Sequence, residues 1–291
     1  MKPKIGLVVT DLDNTLYDWV TFFASAFGAM VRVAAEILSV PEETVLDELQ
    51  AVHRRHGNSE QPFALLEIPT VLKHYGAASR RERARALDPA LHAFNSVRNR
   101  ELSLYPNVKE TLEAIGQGSV IVAHTEASSA NAVFRLQKLG IARLIDRLYA
   151  IEDTGPGHPE PERLREYAAV AAKVRRLSAD ERKPDPRILL DICRDYDAPV
   201  TATLYVGDSI PRDIGMARAS GVWSAWAKYG TTYDPASWRT LVRITHWTAD
   251  DVARAQKAQE MYGASKPDVV LNQGFDELLE HFSFVGVRAV R

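Results

Sequence analysis

Apolar residues in this chain follow two rhythms, and the change comes near residue 104. Ile5-Gly6-Leu7-Val8-Val9 is a continuous apolar run, the mark of a buried strand, and strand character spans residues 4–11. From Trp19 to Ser39 the Ala, Phe and Val residues recur at helical spacing. Pro41-Glu42-Glu43 opens a second helix, with Pro early and acids in the first turn, and it runs to Arg55 before His56-Gly57-Asn58-Ser59 breaks it. Helical stretches near 62–75 and 79–102 complete an all-helical block over 17–103.

Beyond it, strands and helices alternate. Pro106-Asn107-Val108 opens a helix to Ile115, Ser119–Ala123 is a strand, and Ser129–Leu139 is a helix with Gly140 as its C-cap. Leu148–Ile151 is a short strand, Pro186–Tyr196 a helix and Thr203–Val206 a strand. Asp213–Ser220 is a helix ended by Gly221, Val222–Ala227 a strand, and Val269–Leu271 with the helix Phe275–His281 closes the series. Such alternation predicts an α/β fold, a parallel sheet covered on both faces by helices. No internal repeat or low-complexity tract interrupts it.

Composition narrows the class. With 291 residues, 46% hydrophobic and 25% charged, the chain can bury a large core and suggests two domains. A formal charge of −2 gives no basic excess to argue for a nucleic acid partner. Cys193 is the single cysteine, so no internal disulfide framework is expected. No apolar run is read as approaching the roughly 20 residues of a membrane span, and Met1-Lys2-Pro3-Lys4 enters a strand without a leader pattern. The expectation is a cytoplasmic protein with no membrane partner.

Candidate chemistry gathers at the ends of the predicted strands, where open α/β sheets bind ligands. Asp11-Leu12-Asp13 follows the first strand, and acids there do nothing for a core. Thr125 follows strand 119–123, Lys183-Pro184-Asp185-Pro186 precedes a helix, and Gly207-Asp208-Ser209-Ile210-Pro211-Arg212-Asp213 follows strand 203–206. Each has a plainer reading. Asp-x-Asp is commonly a turn or cap, Thr125 and Asp213 could cap the helices after them, and Asp185 reads as an N-cap before Pro186. Four such features in order at strand ends weigh against that.

Together with Leu104-Tyr105-Pro106-Asn107-Val108 and Val222–Trp226, these motifs resemble the haloacid dehalogenase-like hydrolase superfamily, in its branch with a helical cap inserted after the first motif. The resemblance implies a Rossmann-like three-layer core over 1–16 and 104–291 and a cap over 17–103. Phosphate esters resist attack because their anionic oxygens repel nucleophiles, so catalysis must neutralise charge and position an attacker in line. Asp11 fits a carboxylate nucleophile, forming an aspartyl-phosphate. Asp13 fits a general acid and base, which requires a raised pKa. The resemblance implies Mg²⁺ held by Asp11, the Asp13 carbonyl and Asp208, with Asp213 direct or one step removed. It also implies that Thr125 and the backbone N–H groups of Leu12 and Glu126 hold phosphoryl oxygens, and that Lys183 offsets charge. Arg54, Arg55, His56, Asn58 and Glu60 form a candidate substrate-selecting loop. For the basic cluster there, a solvated helix end interacting with the helix dipole is the simpler account.

Three departures stand out. His124 and Glu126 flank Thr125 where small residues or Asn are common in the family, and an acid beside a phosphate must point away. Segment 154–182, with Gly155-Pro156-Gly157-His158-Pro159 and a helical pattern from Arg163 to Arg176, is long for a connection, as is 228–266 with Trp238 and Trp247. The first of these inserts is expected to help select substrate.

A Mg²⁺-dependent phosphatase of a small phosphorylated metabolite (a nucleotide, sugar phosphate or phosphoglycolate-like compound), monomeric or homodimeric, is the leading expectation. A sugar phosphomutase would keep the same residues, and an idle binding or regulatory member would be expected to have lost one of them. Dehalogenase and phosphonate hydrolase readings are disfavoured by the second acid, Asp13.

Overall fold

The structure, a computed structural model, describes residues 1–153, 157, 159, 173–178, 180–245 and 249–286. A seven-stranded, all-parallel sheet forms its centre. In chain order the strands are β2 (Leu7–Thr10), β3 (Val120–Ser128), β4 (Arg147–Ile151), β5 (Val174–Leu177), β6 (Thr203–Gly207), β7 (Trp223–Ala227) and β8 (Val269–Leu271). Their spatial order is β5-β4-β3-β2-β6-β7-β8. The chain thus starts in the middle and winds outward both ways, leaving β2 flanked by β3 and β6.

Alternation along each strand separates two apolar layers, because successive side chains point to opposite faces. Val8, Ile121, Ala123, Leu204 and Val206 pack on one face, with α6 (Val108–Gly116) and α7 (Ser129–Lys138). Leu7, Val9, Val122 and Tyr205 pack on the other, with α8 (Pro186–Asp195) and α9 (Gly215–Ser220). This is the expected three-layer α/β/α arrangement.

A separate apolar core lies among α1 (Trp19–Leu38), α2 (Glu42–His56), α3 (Pro69–Tyr75), α4 (Arg80–Ala86) and α5 (Asp88–Glu101). Phe23, Phe27, Met30, Leu49, Leu65 and Phe94 are buried there. Leu241 and Ile244 join them from α10 (Pro235–Ile244), far along the chain. Two crossings connect the helices to the sheet, and they pair: Tyr17 bridges Leu104, and the Tyr105 N–H donates to the Leu16 carbonyl at 2.9 Å.

Several expectations need correction. Residues 4–11 are two strands rather than one. β1 (Lys4–Ile5) leaves the main sheet at Gly6 to pair with β9 (Ser283–Phe284). Pro69 and Pro89 break the two predicted helical stretches, so 62–67 is a 3₁₀ turn before α3, and 79–102 becomes α4 and α5. The helical pattern from Arg163 to Arg176 ends in strand β5, while residues 163–172 lie outside the described residues, as do most of the 154–182 insert and Trp247. Segment 228–266 carries α10 and α11 (Ala249–Tyr262). Finally, α1 is 20 residues long and apolar enough by composition to cross a membrane, contrary to the sequence reading, and its apolar side is buried against the other helices.

Candidate active site

The carboxyl ends of β2, β3 and β6 converge on one buried cluster. Asp11 follows directly from β2, its backbone N–H donating to the Val206 carbonyl at 2.8 Å, so the sheet ladder itself sets its position. Lys183 Nζ lies 2.8 Å from Asp11 Oδ1 and 2.9 Å from Asp213 Oδ1, and its side chain is only 3% exposed. Asp213 also accepts from the Ser209 N–H at 2.9 Å and from the Tyr205 hydroxyl at 3.2 Å. Gly207 makes room for it, since a Cβ at that position would fall inside the Asp213 side chain. Asp208 completes the group: one carboxylate oxygen each from Asp11, Asp208 and Asp213 all lie within 4.8 Å of one another.

Asp13 sits among different partners. Both of its hydrogen bonds reach Oδ1, from the Tyr17 hydroxyl at 2.7 Å and from Arg135 Nη1 at 2.9 Å. Asn14, next in sequence, has a left-handed backbone with φ of 56°, which lets the chain turn sharply after Asp13. Its side chain accepts from the Trp19 N–H at 3.1 Å, and Gly230 packs directly on its carbonyl, where any side chain would collide.

Thr125, on β3, is buried, and its hydroxyl accepts from the Ala127 N–H at 3.1 Å. The acid beside it is offset by charge: Glu126 pairs with Arg212 at 2.9 Å. His124 is buried beside Tyr205, and burial, reinforced by Lys183, pushes its imidazole down to about 3, holding it neutral. Leu12 is fully buried, its carbonyl accepting from the Leu16 N–H at 2.9 Å.

Residues 5–221 match the model of the family described as haloacid dehalogenase-like hydrolases. The chain belongs to that family. This haloacid dehalogenase-like hydrolase is 25% identical over 222 residues to a ribulose-1,5-bisphosphate 5-phosphatase of Halopiger xanaduensis, covering 74% of the chain and 81% of that protein. It is 25% identical over 236 residues to a glyceraldehyde 3-phosphate phosphatase of Methanopyrus kandleri, covering 79% and 87%. Its fold resembles the crystal structure of a 2-haloacid dehalogenase from Pseudomonas syringae pv. Tomato, with a TM-score of 0.55 at 20% identity over 95% of this chain and 97% of that one.

The charges of the hydrolase's cluster are out of balance. Burial raises the Asp11 carboxyl well above the usual range against the pull of Lys183, and Asp213, Asp208 and Asp13 push the same way. Burial and then Asp213 push Asp208 up to about 7. Asp213 is lowered despite its burial, because Lys183 and Arg212 face it. Three close carboxylates with one lysine between two of them leave negative charge that a divalent cation would offset. An octahedral Mg²⁺ at about 2.1 Å from its ligands keeps opposite oxygens about 4.2 Å apart. One oxygen from each of the three acids lies within 4.8 Å of the others, so an all-carboxylate donor set of this compactness suits a hard cation.

Of the five candidate substrate-selecting residues, only Glu60 reaches this region. Arg55 and His56 both close on Glu67 at 2.8 Å within the helical unit, and Arg54 is exposed. The Asn58 side chain accepts from the Glu60 N–H at 2.8 Å and shapes the turn. Glu60 pairs with Arg135 and also accepts from Trp19 Nε1 at 2.6 Å and Asn131 Nδ2 at 3.2 Å. Asp185 takes the structural role read for it, accepting from the Arg187 N–H at 2.9 Å as the cap of α8.

The sequence reading missed Arg135, Tyr17 and the Glu126–Arg212 pair. Arg135 looks like an ordinary basic residue in the last turn of a helix. A weak signal existed: Asn131 and Arg135 are four apart and share one face of α7.

Proposed function

We propose that this hydrolase is a Mg²⁺-dependent phosphatase acting on small phosphomonoesters, with Asp11 as nucleophile and Asp13 as general acid and base. The observation that carries the reading is the pair of carboxylates two residues apart in unlike settings: Asp11 beside Lys183, Asp208 and Asp213, and Asp13 held by Tyr17 and Arg135. Burial, opposed by Arg135 and aided by Glu60, raises Asp13, the direction a general acid requires.

The reaction then runs in two halves. An Asp11 oxygen attacks phosphorus while the ester oxygen leaves with the Asp13 proton, giving an aspartyl-phosphate. Asp13 next takes a proton from the water that attacks this intermediate, and Asp11 is released with inorganic phosphate. Lys183 orients Asp11 and offsets charge on the transferring group, while Thr125 and the N–H groups of Leu12 and Glu126 hold phosphoryl oxygens. Asp11, the Asp13 carbonyl, Asp208 and Asp213 would hold Mg²⁺, which when bound supplies positive charge against the phosphoryl oxygens and keeps Asp11 ionised.

Residues 17–103 serve as the cap, closing over the substrate and excluding water. The two curated relatives are named for phosphorylated sugars, which favours small sugar phosphates as the substrate class. Phosphate release across a panel of sugar phosphates, phosphoglycolate and nucleotides, with Asp11→Asn as blank, tests the reading. Turnover of at least one ester that stops in EDTA and returns with Mg²⁺ is expected. Equal release by Asp11→Asn would overturn it.

A further inference from the structure

Arg135 is a buried cation that the proposed chemistry leaves without a task. Its side chain is 4% exposed, and it lies in the last turn of α7 on the sheet side of the molecule. One guanidinium nitrogen, Nη1, donates to Asp13 Oδ1 at 2.9 Å, and the other, Nη2, donates to Glu60 Oε1. The rings of Phe22 and Tyr17 flank the guanidinium, at 5.2 and 5.9 Å from their centroids.

Glu60 comes from the turn after α2, in the helical unit, and it is held by main chain and side chain alike. Asn131 donates to its carbonyl at 3.0 Å and to Oε2, while Trp19 and Arg135 share Oε1. Asn131 and Arg135 therefore form a two-residue seat on α7 for one residue of the helical unit. At the other end, both donors to Asp13 fall on Oδ1. An oxygen that accepts two hydrogen bonds is the carbonyl-like one, so a proton on this carboxyl belongs on Oδ2.

We propose that Arg135 is a positioning residue for the reaction: seated by Glu60, it turns Asp13 so that Oδ1 faces the protein and Oδ2 presents its proton to the leaving oxygen. The inference rests on the general-acid reading of Asp13 given above. In the step concerned, the Oδ2 proton moves to the ester oxygen as its bond to phosphorus breaks and the bond from Asp11 forms. Glu60 never touches the reacting atoms, and acts only through the guanidinium.

A poor leaving group needs that proton and a good one does not, so the test compares leaving groups. The burst of alcohol released in the first turnover is measured for an alkyl phosphate and for 4-nitrophenyl phosphate, with the wild type, Arg135→Lys, Glu60→Gln and the double variant. General acid catalysis is worth about 10²- to 10⁴-fold, and misplacing the acid forfeits part of it. Each single variant is expected to slow the alkyl ester by about 10- to 100-fold and the aryl ester by less than about 3-fold, the double variant adding little because one linkage is broken either way. Equal losses on both esters, or none on the alkyl ester, would overturn the inference. The reading beneath it fails separately, if Asp11→Asn retains the burst.

Discussion

Two buried cations divide the site, and each bridges two carboxylates. Lys183 joins Asp11 and Asp213, whose positions are fixed by neighbouring strands of one sheet. Arg135 joins Asp13 to Glu60, which belong to different hydrophobic units. The first bridge lies within the sheet layer, next to paired strands β2 and β6. The second spans a junction, so its geometry depends on how two bodies meet. Acids two residues apart can thus be given unlike duties: one is set by the sheet, the other by the contact between sheet and helices.

The sharpest way to break this contrast is to remove each acid in turn. Asp11→Asn is expected to cut phosphate release by about 10⁴-fold or more, since loss of a nucleophile costs most of the chemistry. Asp13→Asn should cost about 10²- to 10⁴-fold, with the loss concentrated on poor leaving groups. Matched steady-state kinetics on one ester measure both, and similar losses on every leaving group would erase the distinction between the two acids.

Stability separates the bridges next. Lys183→Met strands two buried acids, and such a change costs about 3–5 kcal/mol in urea unfolding. A loss below about 1 kcal/mol would show that the lysine is not the linchpin of the strand-end cluster.

pH gives a subtler probe. Asp208 has its folded pKa raised to about 7 from the ordinary 3.8, so the folded state binds more protons than the unfolded one between those values. In EDTA, stability should therefore be greatest at the acid end of that window and fall as pH rises towards about 7. Mg²⁺ should flatten the slope by taking the place of the protons. Thermal melts from pH 5 to pH 8, with EDTA and with Mg²⁺, check the sign. The smallest effect is expected from Gly207→Ala, about 1–3 kcal/mol of overpacking against Asp213, with metal affinity falling on the same side of the site.

Much of the Lys183 side was legible in the sequence. β2, β6 and the first half of β3 are short apolar runs, and the polar residues that follow them have few structural reasons to be there. The Arg135 side was not, because its partners lie 122 and 75 residues away and nothing local marks the encounter. The same logic governs the fold. Strand β5, Val174-Arg175-Arg176-Leu177, sits at the sheet edge with two arginines and continues a helical pattern in sequence. Helix α10 has Asp234 as N-cap and Pro235 in its first turn, both readable signals inside a segment whose length alone reads as a long loop. Glu126 was read as a charge that must be turned aside from any phosphate, but the partner it has, Arg212, lies 86 residues on.

The seat of α10 among the helices has a consequence for engineering. Leu241 and Ile244 are buried with residues of α1, α2 and α5, the Ile244 carbonyl accepts from His53 Nδ1 at 2.8 Å, and Arg243 pairs with Asp47 at 2.8 Å. Grafting residues 17–103 onto a relative's sheet would leave that pocket open, and residues 235–244 left behind would expose an apolar stripe. The transplantable unit is two separate stretches of chain, so a chimaera that carries both keeps the helical core closed where a single-segment swap does not.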